Sequence, residues 1–139
     1  MALMYILFLR YRGGRIFGTE SLAETIRYFA NFVPFKTIGT YFTRIFEGSI
    51  NISIAVENLL GNLLIFLPFG FYLPFISGKF SKLSIYAIWL ALIILIVEIT
   101  QLITRRGSFD VDDFILNFSG AIIGWLIFTK TPVRKLLNN

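Results

Sequence analysis

The sequence predicts an all-α membrane protein, built as a bundle of three to four transmembrane helices plus an interfacial amphipathic helix. The first observation is composition: of 139 residues, 56% are hydrophobic and 15% are charged, against about 45–50% and 25% in soluble domains. The others are three long apolar segments and one segment with helical amphipathic spacing. A soluble domain this small could not bury so much apolar surface. With no repeat, low-complexity tract or linker, residues 1–139 are interpreted as a single domain.

The N-terminal segment decides between three and four crossings. Residues 1–9 are apolar, whereas a spanning helix needs about 20 residues. The segment is therefore either a short, tilted first helix that continues past Arg10 by snorkelling or the end of a longer helix.

The amphipathic helix is predicted from residue 21 onward. Ser21 followed three residues later by Glu24 is a capping-box pattern. The apolar residues recur at the spacing i, i+4, i+7, as Leu22, Ile26 and Phe29. Pro34 is expected to end the helix. Two placements remain open, in the membrane interface or packed on the bundle as a loop helix.

Three later segments are predicted to cross the membrane. They are residues 50–76, residues 83–103 and residues 113–129. The second is 21 residues long with Glu98 as its single charge, and the third, with 17 residues, is at the lower length limit.

Charge at the two ends of the bundle bears on orientation. With four crossings, one side carries five basic residues and no acidic residue: Lys79, Lys82, Lys130, Arg134 and Lys135. The other side carries eight basic residues, spread over a longer loop that also contains acids: Arg10, Arg12, Arg15, Arg27, Lys36, Arg44, Arg105 and Arg106. A strict Lys/Arg count favours the second side as cytoplasmic, and density beside the later spans favours the first. We expect cytoplasmic termini.

Polar residues gather where the second predicted span ends. Glu98, Gln101 and Arg105 lie at i, i+3 and i+7, which places them on one helix face. Ionisable groups inside a membrane are costly and mark functional sites by default. The alternative is a helix-end ion pair without a further task.

The loop that follows is rich in charge. Arg105 and Arg106 precede a glycine, and three acids follow: Asp110, Asp112 and Asp113. A carboxylate at the start of a helix is favoured by the helix dipole and can cap free N–H groups. Asp112 or Asp113 is therefore either a cap of the third span or part of a site.

The third predicted span has one polar and glycine-lined face. Its members, spaced by helical turns, are Asp113, Asn117, Gly120 and Gly124. The glycine pair predicts close helix packing, to which we add Pro68 and Gly70 near the end of the first span. Asn58 and Asn62 lie one turn apart near the start of that span. Short loops and antiparallel packing would bring the polar groups of all three spans to one membrane edge.

Composition also restricts the chemistry. The chain has no His and no Cys, which removes thiolate and imidazole catalysis and the usual zinc ligands. We expect no metal site and no cofactor, and we identify no catalytic residue. The net charge of +5 is attributed to loops near anionic headgroups, because no basic stripe with interleaved aromatics predicts nucleic-acid binding.

These motifs resemble the VanZ-like family. The matching strings are N-L-L-I-F-L-P-F-G at residues 62–70, E-I-T-Q at 98–101 and R-G-S-F-D-V-D-D-F-I-L-N-F-S-G at 106–120, with Gly124 after them. N-F-V-P-F at residues 31–35 resembles the family's N-x-x-P-F segment, so the resemblance covers about residues 31–129. It implies a four-helix membrane protein, typically of Gram-positive bacteria. The family's named member is associated with low-level resistance to teicoplanin, a lipid-bearing glycopeptide. The first helix here is shorter than the family's.

Three functions follow as hypotheses. The first is a multi-pass cell-membrane protein whose polar edge binds an amphiphile, such as a lipoglycopeptide or a cell-wall precursor lipid, with Arg106 pairing an anionic group. The second is a lipid-phosphate enzyme using Asp110, Asp112 and Asp113 as metal ligands. The third is an accessory subunit whose glycine face packs on a partner protein or a second copy. Membrane lipid is a partner in all three.

Overall fold

The computed structural model of the protein describes residues 21–104 and 107–130. The helices are α1 (Leu22–Phe29), α2 (Lys36–Phe46), α3 (Ile52–Ile65), α4 (Leu67–Ile76), a 3₁₀ helix (Gly78–Ser81), α5 (Leu83–Ile103) and α6 (Val111–Lys130). Two short strands are β1 (Ala30–Asn31) and β2 (Phe109–Asp110).

Three helical segments are long and apolar enough to cross a membrane. They are Ile52–Ile76, Leu83–Ile103 and Val111–Lys130. The protein is an all-α membrane protein, as predicted, and the second span has the predicted bounds. The third begins two residues earlier than predicted, since α6 starts at Val111. The predicted first helix, residues 1–9, lies outside the described residues.

Helix α1 begins with the predicted capping box. The Ser21 backbone N–H and hydroxyl donate to Glu24 Oε2 at 2.8 and 3.0 Å, and the Glu24 N–H donates to Ser21 Oγ at 3.3 Å. These bonds, the backbone one foremost, hold the pKa of Glu24 below its ordinary value. The helix ends at Phe29, before Pro34, because Ala30 and Asn31 leave it to form β1. It lies beside α5.

Helix α2 is absent from the sequence-based prediction. It follows Phe35, which has a left-handed backbone with φ of 63°. Its sequence contains three threonines and Gly39, and residues of these types have low intrinsic helix propensity. The helix therefore depends on contacts from elsewhere in the chain, described below.

The first span is a broken helix. Helix α3 ends at Ile65 and α4 begins at Leu67, with Phe66 between them. Pro68 lies at this break, in the first turn of α4, where a missing N–H costs nothing. It is exposed, whereas the sequence-based prediction placed it in a contact between helices. The buried proline is Pro74, inside α4.

Helix α6 packs against α4, α3 and α5. A Cβ added to Gly120 would lie 1.7 Å from the Leu63 carbonyl oxygen, and one added to Gly124 would lie 2.2 Å from that of Leu67. From the other side, a Cβ on Gly70 would lie 2.2 Å from the Trp125 nitrogen. The three glycines thus bring the backbones of the first and third spans into direct contact.

An apolar cluster fills the middle of the bundle. Its buried members are Phe66, Tyr86, Leu90, Ile94, Ala121 and Trp125. The Tyr86 hydroxyl donates to the Ala121 carbonyl at 3.1 Å, and the Trp125 indole donates to the Phe80 carbonyl at 2.8 Å. The second bond fixes the C-terminal part of α6 beside the 3₁₀ helix that joins α4 to α5.

At the opposite end, the two strands form a parallel pair. Ala30 pairs with Phe109, and Asn31 pairs with Asp110. This pairing holds the start of α2 against the point where the chain leaves α5 and enters α6.

Candidate functional site

Buried polar side chains lie where α5 ends and α6 begins. We call the following residues the polar cluster: Asn31, Thr37, Asn62, Glu98, Asp110, Asp112, Asp113 and Asn117. The buried polar or charged residues of the described chain are four members of it: Glu98, Asp110, Asp112 and Asn117.

Asp110 is the N-cap of α6. Its Oδ1 accepts the Asp112 backbone N–H at 2.9 Å, which satisfies one of the free donors of the first turn. The same carboxylate accepts from Asn31 Nδ2 at 2.9 Å and from Thr37 Oγ1 at 2.6 Å. Asp110 therefore ties the start of α6 to β1 and α2.

Asp112 caps a different helix from its own. Its carboxylate accepts the backbone N–H groups of Phe35, Thr37 and Ile38 at the N-terminus of α2, the last two at 2.7 and 3.0 Å. The predicted alternative, that Asp112 caps its own span, is wrong because Asp110 fills that position. A fully buried carboxylate with three N–H donors is well matched to a helix N-terminus.

Asp113 connects the first and third spans. Asn62 Nδ2 donates to Asp113 Oδ1. Both residues come from the sequence-predicted site, and the structure brings them into contact across α3 and α6.

The Glu98 side chain lies next to the backbone of Asp110. It is 2% exposed, and its carboxylate accepts the Asp110 backbone N–H. Among the described residues, the charged groups that act on it are Asp113 and Asp110, and both are acidic. Its Oε2 atom is buried without a hydrogen-bond partner.

Asn117, one helical turn after Asp113 in α6, also has a buried oxygen without a hydrogen-bond partner. The residue is 2% exposed, and the oxygen is its Oδ1. Within the described chain only one further buried side-chain atom shares this property, the Ser81 hydroxyl beside the start of α5. The polar cluster thus contains two buried hydrogen-bond acceptors that the described protein does not satisfy.

The remaining predicted site residues lie elsewhere or outside the description. Asn58 Nδ2 donates to the Ile54 carbonyl of its own helix at 2.6 Å. The Gln101 side chain lies against Gly107, where an added Cβ would approach it to 3.2 Å. Arg105 and Arg106 lie outside the described residues.

Sequence reasoning missed Asn31 and Thr37. Both bind Asp110 across more than 70 residues of chain. The available signal was Asn31 itself, an amide in the N-F-V-P-F segment, immediately after an amphipathic helix. Thr37 carried no comparable signal.

The three aspartates do not form an ion site. Among the described residues, no three acidic side chains are close enough together to hold a metal ion. Both oxygens of Asp112 are already bound to the α2 N-terminus. The aspartate carboxylates are instead arranged to accept hydrogen bonds from N–H and O–H groups.

The fold and the polar cluster define a helical membrane protein with buried carboxylate and amide groups near one end of its apolar helices. A family model described as VanZ/LLP1 matches residues 1–134. The chain belongs to this VanZ-like family. Comparison with curated proteins and with solved structures gives no match.

Proposed function

We propose that the protein is a multi-pass cell-membrane protein that binds an amphiphilic ligand at the polar cluster. Through this binding it contributes to resistance against teicoplanin-type glycopeptides or to cell-envelope homeostasis. The observation that carries the proposal is the pair of unsatisfied acceptors, Glu98 Oε2 and Asn117 Oδ1. An unsatisfied buried polar group costs roughly 1–3 kcal/mol, so such groups require an explanation in a native structure. A ligand that donates to both atoms supplies one.

An amphiphile fits because the polar cluster adjoins exposed apolar helix faces. On α5, Ile96 and Ile103 are 62% and 59% exposed on either side of Glu98. On α3, Leu64 is 54% exposed two residues after Asn62. A lipid-bearing ligand could place its chain along these faces and its polar head at the cluster, as a teicoplanin-type molecule or a cell-wall precursor lipid would.

The two alternatives have less support than ligand binding. The accessory-subunit hypothesis used the glycine face as a surface for a partner, but Gly120 and Gly124 already contact Leu63 and Leu67 of the same chain. The lipid-phosphate enzyme used Asp112 as a metal ligand, but that carboxylate is bound by backbone N–H groups.

Resistance assays test the proposal. The protein is expressed in a teicoplanin-susceptible Gram-positive host, and the minimal inhibitory concentration is measured for wild type, Glu98→Gln and Asp113→Asn. We expect wild type to raise this concentration and both variants to return it to the empty-vector value. Glu47→Gln, at an exposed site beside α2, is the matched control and should behave as wild type. Unchanged resistance in both site variants, at equal amounts in the membrane fraction, contradicts the proposal.

A further inference from the structure

The two unsatisfied acceptors of the polar cluster have the same chemistry. Glu98 Oε2 is a carboxylate oxygen and Asn117 Oδ1 is an amide carbonyl oxygen. Both accept hydrogen bonds. The group that would satisfy them is therefore a hydrogen-bond donor, which narrows the ligand beyond "amphiphile".

The charges around Glu98 restrict the chemistry of this donor group further. Within the described chain, the charged groups acting on Glu98 are the carboxylates of Asp113 and Asp110. Negative groups close together in a buried, low-dielectric setting repel each other, and a cation among them is favoured. A neutral donor such as a hydroxyl would satisfy the hydrogen bonds but would leave this repulsion in place.

The described acidic side chains also bear on the kind of cation. They do not converge closely enough to hold a bare metal ion. A primary ammonium carries its positive charge on three N–H donors, directed at separate acceptors. Glu98 Oε2 and Asn117 Oδ1, which lie on neighbouring helices, are two acceptors of this kind. We infer that the polar cluster binds the protonated primary amine of its amphiphilic ligand; this inference rests on the binding function proposed above.

The strand pair lies next to Glu98. The Asp110 backbone N–H covers one side of the Glu98 carboxylate, and Asp110 is held in place by β1 and Thr37. The pair comprises only two residues on each strand. A two-residue pair is a weakly held element, and its local opening would expose the buried acceptors to a head group.

The experiment compares two probes that differ only in the head group. The purified chain is placed in phosphatidylcholine nanodiscs, which offer no competing primary amine. Spin-labelled octadecylamine and spin-labelled octadecanol are added, and electron spin resonance measures the relative association of each with the protein. The amine is protonated at neutral pH, because alkylamines titrate near the lysine value of about 10.4.

Two variants remove the acceptors in different ways. Asn117→Leu deletes an acceptor at nearly constant volume and leaves net charge unchanged, whereas Glu98→Gln replaces the carboxyl group with a neutral amide. Each alters an atom that has no partner within the protein, so the fold is expected to persist, which circular dichroism checks. Glu47→Gln is the charge-matched control for general attraction of cations to the protein.

Wild type should favour the amine over the alcohol by about tenfold or more, as expected for charge-assisted hydrogen bonds. Asn117→Leu and Glu98→Gln should both reduce the preference to about twofold or less, and Glu47→Gln should keep it. Equal association of the two probes with wild type, or a full preference in both site variants, overturns the inference.

The outcomes separate this inference from the proposed function. If wild type shows no amine preference while Glu98→Gln still loses glycopeptide resistance, the amine inference falls and the binding function stands. If the preference depends on Asn117 while resistance is unaffected by Glu98→Gln and Asp113→Asn, the amine site stands and the resistance role falls.

Discussion

Asp110, Asp112 and Asp113 lie within four residues of one another, yet their carboxylates have different partners. Asp110 binds side chains near the start of α2, Asp112 binds the backbone of α2, and Asp113 binds Asn62 on α3. The helix explains the divergence, since successive residues rotate by about 100° around its axis. One short acidic stretch therefore connects α6 to two other helices.

Sequence could predict only part of this arrangement. The sequence-based prediction placed Asn62 near the start of the first span and Asp113 at the start of the third, and antiparallel helices with short loops bring those two regions to one side. Asp112 could not be assigned, because its partners are backbone N–H groups of a helix with low intrinsic propensity more than 70 residues earlier. No side-chain pattern at residues 35–38 indicates that a carboxylate is needed there.

Replacing Asp112 with alanine tests its role as the cap of α2. The change leaves the N–H groups of Phe35, Thr37 and Ile38 without their acceptor. We expect the free energy of unfolding to fall by about 2–3 kcal/mol, because buried donors lose a charged partner. Hydrogen exchange at the Thr37 and Ile38 amides should accelerate. Glu47→Ala, at the exposed C-terminal end of the same helix, is the control and should leave both measurements near wild type.

A purely local exchange effect is the distinguishing result for Asp112→Ala. If the Thr37 and Ile38 amides exchange at the wild-type rate, Asp112 does not hold the N-terminus of α2. If the whole bundle exchanges faster, the carboxylate supports the complete fold and not α2 alone.

Among the helices, the spans were predictable and their partners were not. Hydrophobic length alone identifies Leu83–Ile103 to the residue, because a lipid environment demands a continuous apolar helix. Glycine spacing predicts that α6 approaches another helix closely, but a glycine carries no information about the identity of its neighbour. The neighbour is the broken α3–α4 span, in contact through Leu63 and Leu67. Helix α2 was missed because its stability comes from tertiary contacts.

Gly120→Ala tests the close approach of α6 to the first span. The new Cβ would lie 1.7 Å from the Leu63 carbonyl oxygen, a backbone atom that cannot move without shifting the helix. We expect a loss of about 1–3 kcal/mol in the free energy of unfolding, the usual cost of overpacking. Unfolding in a denaturing-detergent titration measures it.

Gly39→Ala is the matched control, since nothing lies within 4 Å of the added Cβ and the site is an exposed turn of α2. It should be neutral or stabilising by up to about 1 kcal/mol, because alanine has the higher helix propensity. Indistinguishable midpoints for the two variants would contradict the tight α3–α6 contact.

At the scale of the whole molecule, the bundle has two chemically different ends. The polar cluster and the α5–α6 connection occupy one end. The 3₁₀ helix and the end of α6 occupy the other, where the Trp125 indole binds the Phe80 carbonyl. Lys79, Lys82 and Lys130 belong to this second end, and such a concentration of lysine beside spanning helices favours the cytoplasmic side. Binding of an external glycopeptide requires the polar cluster to face outward, and this orientation is a prediction.

Single cysteines at the two ends test this orientation directly, because the chain contains no cysteine of its own. Ser108 is an exposed residue between α5 and α6, and Lys79 is an exposed residue of the 3₁₀ helix. The variants are Ser108→Cys and Lys79→Cys. In intact cells, a membrane-impermeant maleimide should label the cysteine at 108, whereas the one at 79 should react only after the membrane is permeabilised. The unsubstituted chain should remain unlabelled in both conditions. Labelling at 79 but not at 108 in intact cells would place the polar cluster at the cytoplasmic surface, where an external glycopeptide could not reach it.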